Sequence, residues 1–101
     1  MNNINNSKKL YTKAKKYIAG GISSQIRVLE HSEIPLFIKN AKGSKIWDVD
    51  DNEYIDYIQG MGPNIFGHAP EFINKQVSEE INKGMIYAAQ FDKEIEVAEK
   101  S

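Results

Sequence analysis

Residues 36–58 read LFIKNAKGSKIWDVDDNEYIDYI. Aromatic and β-branched residues crowd into three short runs, 36–40, 45–49 and 54–58, and the connectors AKGS and DDNE are short and polar. Such runs suit a pleated, half-buried surface, and such connectors turn the chain back on itself, so the stretch predicts a three-stranded antiparallel meander.

Helical patterns flank it. Upstream, Ser7 is a suitable N-cap for a helix whose apolar stripe is Leu10, Ala14, Tyr17 and Ile18, and Gly20 and Gly21 stop it. The asparagine-rich residues 1–6 are expected to fray. Residues 21–34, GISSQIRVLEHSEI, have no clean period, and a connection of that length tends to be functional or disordered. Downstream of the meander comes QGMGPNIFGHAP, Gln59 to Pro70, with three glycines. Pro70 opens a second helix with Ile73, Val77 and Ile81 four apart, and Gly84 ends it. The apolar residues 85–91 lead to a third helix, capped by Asp92, with Ile95 and Ala98 beginning its stripe. That helix reaches Ser101 without a stop signal, so the sequence is expected to have continued. The class is α+β. Three segments are expected: 1–34, helix and loop; 35–69, meander and glycine-rich loop; and 70–101, helical.

The chain has 101 residues, room for one small domain, and a net charge of −1. Lys8, Lys9, Lys13, Lys15 and Lys16 give the first 16 residues +5 with no acid, which leaves −6 for the rest. A solvated helix face accounts for that run, and no nucleic-acid partner is expected. There is no cysteine, which excludes disulfides, zinc–thiolate sites and thiol nucleophiles. The opening MNNINNSKKL lacks the apolar centre of a signal peptide, and no apolar run approaches the roughly 20 residues that span a bilayer. A soluble cytoplasmic protein without a membrane partner is expected.

Several constellations invite chemistry. Asp48, Asp50 and Asn52 match the first ligand positions of a calcium loop, but Glu53 stands where that loop needs glycine and Gln59 where it needs a bidentate glutamate. A hairpin turn explains the same residues. His31 and His68 have no second metal ligand at helical or strand spacing, and His68 sits at a helix entry where an imidazole can serve as a structural hydrogen-bond partner. Ser23, Ser24 and His31 lack the nucleophile elbow and an orienting acid. Gly60, Gly62 and Gly67 do not have dinucleotide-fingerprint spacing, and Pro63 removes a backbone donor a phosphate cradle would use. They leave a backbone that something can approach closely. Arg27 is the chain's one arginine against twelve lysines. Composition alone favours a surface side chain. The alternative is a clamp whose two parallel donors match a carboxylate.

Taken together, GGISSQIR, PLFIKNAKGSKIWDVDDNEYIDYI and GPNIFGH, in that order and followed by a helix, resemble the N-terminal segment of the class III aminotransferases, and within them the glutamate-1-semialdehyde 2,1-aminomutases. The resemblance covers the chain from about Leu10 onward. It implies the N-terminal part of a fold-type I transferase that uses pyridoxal 5'-phosphate and acts as a homodimer on a small amino or keto acid. Carried over by position, Arg27 matches the arginine that binds the substrate carboxylate, and Ser24 the serine beside it. Gly62, Pro63, Gly67 and His68 match a loop lining the mouth of the active site. Gln25 replaces the usual proline, Met61 an aromatic near the substrate, and Glu53 the glycine of the DVDG turn. No lysine matches the cofactor lysine, so no catalytic or cofactor-binding residue is assigned. The resemblance makes the chain an N-terminal fragment that is not catalytic alone. Two alternatives are a small subunit docking on a partner that carries that lysine, and a stand-alone binding or regulatory module.

Overall fold

A computed structural model describes residues 2–28 and 32–101. The His31 reading lies outside the described residues. The chain divides into two compact units, Met1–Pro70 and Glu71–Ser101.

The first unit contains helix α1 (Asn5–Ala14) and the meander: β1 (Ile38–Lys42), β2 (Lys45–Asp48) and β3 (Glu53–Ile55), in the order β1–β2–β3 with both pairings antiparallel. β1 starts and ends two residues later than its apolar run. Asn40 pairs with Trp47 but Ile38 with Asp48, so one extra residue bulges at Lys39 and the hairpin closes over Gly43 and Ser44. Leu36, Phe37, Ile46, Trp47, Val49 and Tyr54 are half-buried, and no aliphatic or aromatic side chain among the described residues is fully buried.

Polar groups do the fixing instead. Asp48 is fully buried. Its Oδ1 accepts the backbone N–H of Asp50 and of Asn52, both at 2.9 Å, and its Oδ2 accepts from Asn52 Nδ2 at 2.8 Å and the Tyr54 hydroxyl at 3.0 Å. Burial pushes this carboxyl up, but the bonds from Asn52, Tyr54 and Asp50 outweigh it and hold the group below the usual carboxylate range. Tyr54 moves the other way, raised by burial and by donating to that carboxylate.

The turn after Asp48 reaches α1. Asp50 Oδ1 accepts the Asn6 N–H at 2.7 Å, and Oδ2 accepts the Ser7 N–H at 2.9 Å and its hydroxyl at 2.7 Å. These are orphan donors of the helix's first turn, next to the positive end of its dipole. The expectation that Ser7 caps this helix is therefore corrected: Ser7 lies inside it, buried, and the cap is a carboxylate from more than forty residues away. The asparagine-rich start does not fray either, because α1 begins at Asn5 and the Asn3 carbonyl accepts from Asn52 Nδ2 at 2.7 Å. The helix also ends sooner than its stripe, at Ala14, and a separate 3-10 turn at Ala19–Gly21 follows. A further correction concerns the DVDG-like turn. The residue with left-handed backbone is Asp51, φ 65°, so Asp51 and not Glu53 occupies the glycine position; Glu53 lies in β3, where it pairs with Lys45 at 2.6 Å.

The second unit is α2 (Glu71–Ile81) and α3 (Asp92–Lys100). Asp92 is the first residue of α3 rather than its cap, a position held by Phe91. Tyr87 and Phe91 meet edge to face at 5.6 Å, and the Tyr87 hydroxyl donates to the Gly84 carbonyl at 2.5 Å. No helix among the described residues is long and apolar enough to cross a membrane.

Candidate functional site

Arg27 ends a turn of 3-10 helix, Gln25–Arg27, entered from an extended Ser24. The Arg27 N–H donates to the Ser24 carbonyl at 3.1 Å, which closes the turn. The Arg27 side chain is exposed and borders a groove of about 700 Å³ with a largely apolar wall, Leu10, Ile18, Leu36, Phe37 and Ile46 among its lining. Among the described lining residues, Arg27 carries the sole charge and Ser23 the sole hydroxyl. Among the described residues Arg27 forms no ion pair. A guanidinium beside an apolar wall, with no partner among the described residues, has the chemistry to receive a planar anion, and carboxylate matches its fork bidentately.

The glycine-rich loop is a second construction. Gln59, Gly60, Met61 and Gly62 are consecutive and all left-handed, with φ of 48°, 67°, 67° and 114°. Two of the four are not glycine, and each such residue costs about 1–2 kcal/mol. Asp56 holds the turn: its Oδ1 accepts the N–H of Ile58 at 2.9 Å and of Gln59 at 3.0 Å, and its carbonyl accepts from Gln59 Nε2 at 2.9 Å. Its Oδ2 lies 2.6 Å from His68 Nε2, and His68 Nδ1 lies 3.3 Å from Asn64 Nδ2. With the Asn64 amide donating, Nδ1 accepts and Nε2 carries the hydrogen given to Asp56. The bonds from His68 and then the Gln59 N–H hold the Asp56 carboxyl below its ordinary range, ahead of a smaller opposing effect of burial. His68 also exchanges two backbone bonds of 2.8 Å with Gly43 in the β1–β2 turn. This approach explains Gly67: a Cβ there would lie 2.9 Å from the Gly43 carbonyl oxygen, and φ is 76°.

The expected residues therefore fall into two groups. Gly67 and His68 are drawn together with Asp56, Asn64 and Gly43, and Met61, Gly62 and Pro63 are carried outward, exposed. Arg27 and Ser24 share the other turn, and Ser23 rather than Ser24 faces the groove. From the glycine side Ile58 lines that groove; Met61, Gly62, Pro63, Gly67 and His68 do not. Asp56 and Asn64 were not singled out from the sequence. The available signal was a lone acid inside the apolar run YIDYI.

A pyridoxal phosphate site does not form from these residues. A lysine that carries such a cofactor sits inside a pocket, where desolvation tunes its amine. All twelve lysines here are exposed, and none borders the Arg27 groove.

Comparison with known proteins bears on the whole chain. Residues 28–100 match the family described as Aminotransferase class-III. The chain belongs to this family. Among curated class-III relatives, a glutamate-1-semialdehyde 2,1-aminomutase from a Sulfurihydrogenibium species is 44% identical over 99 residues, which is 97% of this chain and 23% of the relative. The same enzyme of Thermodesulfovibrio yellowstonii is 48% identical over 93 residues, 91% of this chain and 22% of its own. An omega-transaminase from Sphaerobacter thermophilus superposes with a TM-score of 0.82 at 26% identity, covering 92% of this chain and 21% of that one. The chain thus spans under a quarter of the length of these class-III proteins. The helix-and-meander architecture is that of the N-terminal part of a fold-type I transferase.

Proposed function

We propose that this chain is the N-terminal part of a pyridoxal-phosphate-dependent aminomutase or aminotransferase, and that its task is to grip the carboxylate of a small amino or keto acid with Arg27. The observation that carries the reading is a guanidinium on a largely apolar groove with no ion pair among the described residues, in a turn, GGISSQIR, that resembles the family's substrate-arginine loop. The Ser24 carbonyl fixes that turn, and Ser23 offers a hydroxyl beside the bound acid. Met61, Gly62 and Pro63, exposed here and off the Arg27 groove, form one edge of the mouth in the complete enzyme. The cofactor and its lysine are held by polypeptide outside these residues, or by a second chain. The exposed apolar side chains of both units are where that protein packs.

A hybrid enzyme tests this. Residues 1–101 replace the matching segment of the Sulfurihydrogenibium aminomutase, to which they are 44% identical. The hybrid is expected to turn over the aminomutase substrate. Arg27→Ala should then lower kcat/KM by about 10- to 100-fold, the worth of a charged hydrogen-bonded pair, with cofactor absorption unchanged. A hybrid whose kcat/KM is indifferent to Arg27→Ala would overturn the reading.

A further inference from the structure

We infer that Asp56 is a positioning residue, which sets where Met61 stands in the pocket mouth by holding the left-handed turn Gln59–Gly62 and, through His68, tying the loop's far end to the β1–β2 turn. The function of that position rests on the reading above; the holding itself does not.

Three observations converge on this side chain. First, the turn opposes local preference, since Gln59 and Met61 are non-glycine residues in a region that L-residues avoid. Such a conformation persists only where its surroundings over-determine it. Second, Asp56 is the over-determining group. One carboxylate oxygen takes the two N–H groups entering the turn, Ile58 and Gln59, and the other takes His68 at 2.6 Å. Third, the anchor behind it does not yield. Asp56 and His68 are largely buried, with side chains 11% and 20% exposed, and the His68 backbone is locked to Gly43 by the pair of 2.8 Å bonds. Met61 itself is 71% exposed, so side-chain packing among the described residues does not fix its place. The backbone does, and Asp56 holds the backbone.

The test has two arms. In the full 101-residue chain, carbon and proton shifts at Cα report whether Gln59 and Met61 are left-handed. Asp56→Asn keeps an acceptor for the two amides but sets an NH2 against the His68 N–H, so the left-handed signature should weaken at both residues. Adding Met61→Gly, which adopts that conformation freely, should restore it at Gln59. In the hybrid enzyme, Asp56→Asn should raise KM about tenfold while kcat stays within about threefold and cofactor absorption is unchanged, as expected for a displaced contact rather than a damaged fold. Undiminished left-handed shifts in Asp56→Asn, or an unchanged KM, would overturn the inference. A hybrid inert before any substitution counts against the proposed function alone, and the shifts of the 101-residue chain then decide the role of Asp56.

Discussion

The two units of this chain are held by different means. In Met1–Pro70, three carboxylates act as fasteners: Asp48 inside the β2–β3 turn, Asp50 on the start of α1, and Asp56 under the glycine-rich loop. In Glu71–Ser101 no described residue is buried, and the ion pairs Lys83–Glu80, Lys93–Glu96 and Lys100–Glu96 lie on exposed surface, where such pairs contribute little. The contrast teaches that a small piece without an apolar interior can still fix a site's geometry, provided acceptors are aimed at its loop amides. The helices carry no such site and wait on packing.

The strongest way to break this comparison is acid. Asp48, Asp50 and Asp56 all ionise below the ordinary 3.8. Burial opposes this at Asp50, but the Ser7 hydroxyl and the N–H groups of Asn6 and Ser7 outweigh it. For all three the folded state binds fewer protons than the unfolded one. The stability they contribute is complete above about pH 5 and is lost as pH falls through 3.8 toward the folded values. The Trp47 and Tyr54 signals of the meander should therefore collapse on acidification before the helical signal of 71–101 changes, read by fluorescence and circular dichroism. Simultaneous loss of both signals would contradict the difference between the units.

Asp48→Ala sharpens it. Four donors lose their acceptor at a buried position, so the first unit should lose on the order of 3 kcal/mol in denaturant unfolding followed by Trp47. At the small end, Val77→Ser on α2 removes an apolar side chain that is half exposed and should change the thermal midpoint by less than about 0.5 kcal/mol equivalent. A large effect at Val77 together with a small one at Asp48 would reverse the account.

Most of the architecture was legible in the sequence because it rests on local chemistry. Aromatic and β-branched runs between polar turns gave the meander, and the Ile73, Val77, Ile81 spacing gave α2. What was not legible depends on residues distant in sequence. Ser7 reads as a cap because the true cap, Asp50, arrives from another element. The edges of β1 depend on a bulge at Lys39 that no propensity marks. Asp51 is different: DVDD at 48–51 already sets it against the glycine of DVDG, and its left-handed φ of 65° agrees. Of the candidate site, composition pointed to a surface place for Arg27, and only its motif singled it out. Asp56 was hidden as a polar residue in a strand-like run, since its value lies in meeting His68 twelve residues on.

The measurement closest to the central claim is a double-mutant cycle between Arg27 and the substrate's own acid group. The hybrid enzyme and its Arg27→Ala variant are each assayed with an amino-acid substrate and with the analogous amine lacking the carboxylate. The predicted coupling is about 1.5–3 kcal/mol, with Arg27→Ala nearly neutral toward the amine. Equal losses on both substrates, hence zero coupling, would contradict the claim that Arg27 grips a carboxylate.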